Sequence, residues 1–295
     1  MGSSSTAQLF RSTLVGAWTA WFADRATSKG AALAFYTLFS LTPVLVLVIA
    51  IAGLFIGSEA AQGEIFGEVQ RLVGPIGAQA IQMLLAGARN PESGRLATLI
   101  ASVLLLVGAT SVFAELKASL DDIWHVRSTQ GSGVLALLRA RLLSFGIVLV
   151  LAFLLLVSLV VSAAVAFLQK YWLGRWGETV LLLGTLSSLV SFLVIACLFA
   201  VIYKMLPEVK LRWRDVWIGA LGTAALFTVG KHLIGVYLGS SGVASTYGAA
   251  GSVLALLLWV YYSAQIFFFG AEFTRQYALR FGSQDKSAVA NANDP

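Results

Sequence analysis

Lys231 and His232 lie side by side in an otherwise apolar run, and Gln265 and Glu272 mark one face of another. Glu115, Ser111 and Tyr36 stand in two earlier apolar runs. These side chains could hold an anion, pass a proton or line a polar path. Helical spacing brings several into register, because seven residues return to nearly the same face. Gly251, Tyr261, Gln265 and Glu272 form one stripe; Gly108, Ser111 and Glu115 form a second that continues to Asp122; Lys29, Tyr36, Ser40 and Pro43 form a third. An ionisable group in oily surroundings is costly and has either a structural partner or a task. Lys29, Glu115 and Glu272 fall at one shared depth, which reads either as an ion-pair cluster that anchors packing or as part of a path. Lys231 comes 17 residues after Arg214, about 25 Å along a helix and so towards the opposite end. It either snorkels to the headgroups or meets an anion. His232 reads as a hydrogen-bonded core histidine or a proton relay, and Tyr36, Ser111 and Gln265 as interhelical hydrogen-bonding groups.

Catalysis asks for more than isolated groups. Gly239-Ser240-Ser241-Gly242 matches the G-x-S-G pattern of intramembrane serine proteases, but no histidine follows it, and the serine then lacks a base to take its proton. A metal hydrolase needs several His, Asp or Glu on one face. The two histidines, His125 and His232, are 107 positions apart. No phosphate-binding loop or dinucleotide fingerprint occurs. The residues predict no enzyme, no metal and no cofactor. The single Cys197 cannot form an internal disulfide.

The elements that must position these groups follow from hydropathy. Of 295 residues 58% are hydrophobic and only 12% charged, and mean hydropathy is +0.85. Soluble globules carry about 25% charged residues, so the chain is expected in a membrane, as an all-α polytopic bundle. Six apolar runs, at about 31–56, 95–116, 141–168, 179–203, 216–238 and 249–272, each approach the roughly 20 residues that cross a bilayer. They are continuously apolar, which favours helices over barrel strands. Pro43 should kink the first. Residues 1–30 read as an interfacial helix with Phe10, Leu14, Trp18 and Trp21 at helical spacing, and no cleavable signal peptide is expected. Within the six-span domain, 31–280, the segment 57–94 reads as a pair of short amphipathic helices broken at Gly74-Pro75. Gly239–Gly251 is either a tight turn of small residues or a re-entrant segment lining a cavity. Residues 281–295 read as a disordered tail.

Charge sets orientation. Counted by side, Lys and Arg divide 14 to 5, with Lys231 inside a span, which puts both termini of a multi-pass membrane protein in the cytoplasm. The formal net charge of +6 is then used for topology, and nucleic acid is not an expected partner.

Several stretches together resemble the bacterial YihY/BrkB inner-membrane family over roughly 20–280. They are Ala31-Ala-Leu-Ala-Phe-Tyr36 with Leu41-Thr-Pro43, Leu96–Trp124 with Gly108-Ala-Thr and Phe113-Ala-Glu-Leu, Leu206-Pro with Arg212-Trp-Arg-Asp-Val, and Tyr247–Thr274. His125 stands where the pattern suggests a smaller residue. The resemblance implies a transporter-like protein, with a role in moving lipid or an envelope precursor. Members have also carried ribonuclease and virulence-factor labels, and these residues give the nuclease label no chemical support. The expected function is a transporter or flippase-like carrier whose path is lined from the first, second, fifth and sixth spans, with membrane lipids as surroundings and an anionic lipid or envelope precursor as cargo. The alternative is a non-transporting scaffold of an envelope complex, partnered by a second copy or an envelope protein.

Overall fold

The computed structural model describes residues 3–88, 111–126, 179–240, 249–282 and 284. Among these the regular structure is helical throughout, with no strand. The long helices are α1 (Ser3–Ala23), α2 (Ala26–Ile56), α3 (Ser58–Ala88), α4 (Thr179–Met205), α5 (Trp213–Ser240) and α6 (Ala249–Phe281); residues 111–123 are also helical. The expected second and third runs lie mostly outside the described residues, as does most of the small-residue stretch after Ser240. Three described helices are long and apolar enough to cross a membrane, in Ser188–Met205, Trp213–Leu238 and Ala250–Phe281.

Helix boundaries follow local chemistry. Arg25, in a left-handed conformation (φ 52), ends the turn between α1 and α2. Gly57 (φ 86) closes α2, its N–H donating to the Gly53 carbonyl at 2.9 Å. α2 stays helical through Pro43. Glu59 sits in the first turn of α3, where the helix dipole favours negative charge. At Gly74 the backbone leaves helical geometry (φ 78, ψ 175) and Pro75 opens the next helical stretch. Proline is tolerated there because a first-turn N–H has no intrahelical partner.

The chain forms two compact units. One comprises Met1–Ala20, Leu120–Thr228 and Phe269–Pro295; the other comprises Trp21–Ser119 and Val229–Phe268. In the second unit α2 packs against α3. Leu45, Ile49, Ala80, Ile81, Leu85 and Leu256 form its main apolar cluster, with Ile65, Val69 and Val73 packed on it. Ile65 and Ile81 would be about 24 Å apart on an unbroken helix. Both reach one cluster, so the break at Gly74 folds α3 into a helical hairpin over α2. A smaller cluster joins Ile234 and Leu238 of α5 to Ala255, Trp259 and Tyr262 of α6 and Ile76 of α3.

The first unit is held by close approach, the usual device where lipid supplies no hydrophobic drive between helices. A Cβ on Gly219 would lie 1.8 Å from Thr274 Oγ1, and one on Gly270 1.9 Å from Thr223 Oγ1 and 2.6 Å from the Tyr203 hydroxyl. α1 packs on the end of α6: Phe10 meets Phe273 edge-on at 6.0 Å, and Arg280 Nη1 donates to Ser12 Oγ at 2.6 Å. Thr13 and Ala17 are buried while Leu14 and Val15 are exposed, so α1 carries apolar residues away from its packing; Trp18, also exposed, still meets Phe269 edge-on at 6.2 Å.

Candidate functional site

In the second unit Lys231 is half-buried on a membrane-length helix. Among the described residues it makes no hydrogen bond or ion pair. A glycine precedes it because α5 and α6 touch there: a Cβ on Gly230 would lie 2.5 Å from Ile266 Cδ1 and 3.1 Å from Tyr262 Cε1. One turn on, Ile234 is buried against α6. The ammonium therefore rises from a tightly packed helix pair with no counter-charge in the described residues. His232, next to it, is exposed.

Gln265 lies in the same unit, facing α2. A Cβ on Gly30 would fall 2.0 Å from Gln265 Nε2, and both amide atoms are buried with no hydrogen-bond partner among the described residues. A buried amide in that state costs about 1–3 kcal/mol per unsatisfied group, so Gln265 is an unfinished polar contact. Nearby on α2, Lys29 Nζ donates to the Asp24 carbonyl. Glu115 is half-buried and accepts from Ser119 Oγ at 3.4 Å. Ser111 is half-buried, and Tyr36 is exposed next to Phe35, the rings 6.0 Å apart.

Glu272 belongs to the first unit. It is fully buried, and its Oε2 lies 3.5 Å from Arg275 Nη1 one turn on. A buried carboxylate needs such a partner.

Sequence reasoning missed the polar knot of the first unit. The Tyr203 hydroxyl and Thr223 Oγ1 are 3.2 Å apart and buried; Thr223 and Thr274 each return a hydrogen bond to the carbonyl four residues back, Gly219 and Gly270, at 2.7 Å. The available signal was the pairing of a small residue with threonine four positions on, in both helices. Asp121 was also passed over. Its Oδ1 accepts from the Glu208 backbone N–H at 2.9 Å, and so ties the end of helix 111–123 to the turn after α4. Across that turn Lys204, at the end of α4, lies over the ring of Trp213, at the start of α5, at 5.7 Å. His125 takes a left-handed conformation (φ 51) with its ring Nδ1 2.9 Å from the Asp122 carbonyl, a backbone state in which glycine is easiest and histidine tolerated. Among the described residues no three His, Cys, Asp or Glu converge for a metal.

A chain of long apolar helices with small-residue contacts and isolated polar groups is a helical membrane protein. It belongs to the virulence factor BrkB family, whose model matches residues 17–295. The chain is similar to a UPF0761 membrane protein of Aeromonas salmonicida, 28% identical over 265 residues that cover 87% of this chain and 86% of the relative. It is also similar to UPF0761 membrane proteins of Verminephrobacter eiseniae, 27% identical over 268 residues (85% of this chain, 58% of the relative), and of Ralstonia nicotianae, 28% over 251 residues (84% and 54%). The chain thus spans little more than half the length of the latter two. No solved structure matches it.

Proposed function

We propose that this chain is a six-span bacterial inner-membrane protein with both termini in the cytoplasm, acting as a carrier for an anionic lipid or envelope precursor rather than as an enzyme. The observation that carries the reading is Lys231: half-buried, on a membrane-length helix and without a counter-charge among the described residues. A cation left that way in lipid is costly unless an anion reaches it. A phosphate headgroup is the anion most abundant at that level. Gln265, buried and unpaired in the same unit, supplies a second polar group able to exchange partners as a headgroup moves.

In proteoliposomes, wild-type protein should carry a fluorescent phosphatidylglycerol between leaflets, and Lys231→Met should reduce the rate about tenfold, the loss of about 1.4 kcal/mol, with helical content unchanged. Wild-type vesicles no faster than empty ones, or an unaffected Lys231→Met variant, would overturn the reading.

A further inference from the structure

Between α2 and the two arms of the α3 hairpin lies a cavity of about 260 Å³. Leu45 and Ile49 of α2, Ile65 and Val69 of the first arm, and Ile81 and Leu85 of the second form most of its wall. No charged side chain lines it; its polar groups are the amides of Gln62, half-buried, and Gln82, exposed. The cavity is partly open to its surroundings, so a guest can enter it from the side. Left empty it would deprive its lining of contacts on one side.

We infer that this cavity is a binding site for a single lipid acyl chain. Three features select that occupant. The wall is uncharged and mostly apolar, its aliphatic residues joined by Phe66 and Ala86, so it suits a hydrocarbon tail better than a charged headgroup. The surface around it is also apolar and outward-facing: Val46, Val48, Leu54 and Ile56 on α2 and Met83 on α3 are exposed, Leu54 at 84%. In a membrane protein such a surface is bathed in lipid, so the guest at hand is a tail. The exposed amide of Gln82 can donate to an ester carbonyl, as a neutral group at the boundary between tail and headgroup would. Gly74, the one residue of α3 with non-helical geometry, makes the site, because an unbroken α3 could not bring Ile65 and Ile81 to one wall. The inference is independent of the carrier reading, since a scaffold would hold the tail equally well.

The test uses full-length protein in lipid nanodiscs. The probes are two phosphatidylethanolamines, one with a diazirine midway along an acyl chain and one with it on the headgroup. After photolysis the tail probe should mark peptides carrying Ile65, Val69, Ile81 and Leu85 beyond the level at lipid-facing Leu54 and Val46, and the headgroup probe should not. Ile81→Trp and, as a milder filling, Val69→Phe should cut cavity labelling about tenfold while labelling at Leu54 persists. Tail labelling no denser in the cavity than at Leu54, equal labelling by the headgroup probe, unchanged labelling in a folded filled variant, or a cross-link to a second copy in place of lipid would each overturn the assignment. If neither variant folds, the contrast between the two probes on wild-type protein decides.

Discussion

At the residue scale, the protein relies on absent side chains. Gly219 and Gly270 are the points where α5, α6 and Tyr203 of α4 come together, and at each a methyl group would overlap a threonine oxygen that is itself hydrogen-bonded to a backbone carbonyl. The threonine cannot swing aside without giving up that bond in a buried site, and backbone would have to move instead. Overpacking of this kind costs about 1–3 kcal/mol and sometimes more. Gly270→Ala should therefore lower stability by about 2–3 kcal/mol in a reversible detergent-unfolding titration. Adding Thr223→Ala should recover part of that loss, because the two changes share one contact and are not additive. A Gly270→Ala protein as stable as wild type would mean that the approach is looser than described. Glu272, two residues on, explains why a carboxylate survives full burial: Arg275 follows one turn later on the same helix.

At the element scale, the informative case is α3. The amphipathic stripe and the Gly74-Pro75 break were legible from residue types alone, since Pro lacks an N–H and Gly alone takes positive φ cheaply. What spacing could not say is that the two arms fold back onto one face of α2. That is decided by Leu45, Ile49 and Leu256, which lie far away in sequence. The apolar runs at 31–56, 179–203, 216–238 and 249–272 fall on the helices α2, α4, α5 and α6, which extend past the apolar limits, as in α6, which reaches Phe281; of these, α4, α5 and α6 carry stretches long and apolar enough to cross a membrane. The Tyr203–Thr223 contact was not legible because serine and threonine in apolar helices give no sign of which neighbour they meet. Gly74→Ala tests the hairpin. A non-glycine residue held at φ 78 costs about 1–3 kcal/mol, and the arms should separate. A short bismaleimide should link Ile65→Cys to Ile81→Cys in an otherwise cysteine-free background, and the yield should fall sharply when Gly74→Ala is added. Equal yields would show that the turn does not depend on glycine.

At the scale of the whole molecule, the division of basic residues governs how the chain sits in the bilayer. Arg11, Arg25 and Lys29 flank the start of α2, and Lys204, Lys210, Arg212 and Arg214 cluster between α4 and α5. The α3 hairpin carries only Arg71 against Glu59, Glu64 and Glu68. Basic residues resist translocation and acidic ones contribute little, so in the orientation we propose the hairpin is the segment that crosses. The tail site, Lys231 and the carrier reading all take their sidedness from this asymmetry. The chain's single cysteine makes the prediction direct. In a Cys197→Ala background, Glu59→Cys at the exposed start of α3 and Ala23→Cys at the exposed end of α1 can be challenged with a membrane-impermeant maleimide. In intact spheroplasts the cysteine at position 59 should react and the one at position 23 should not, and permeabilisation should make both react equally. The reverse pattern would place the termini outside and with them invert the face at which Lys231 meets a headgroup. Reaction of both in intact cells would remove α2 from the set of spanning helices, since positions 23 and 59 bracket that helix alone.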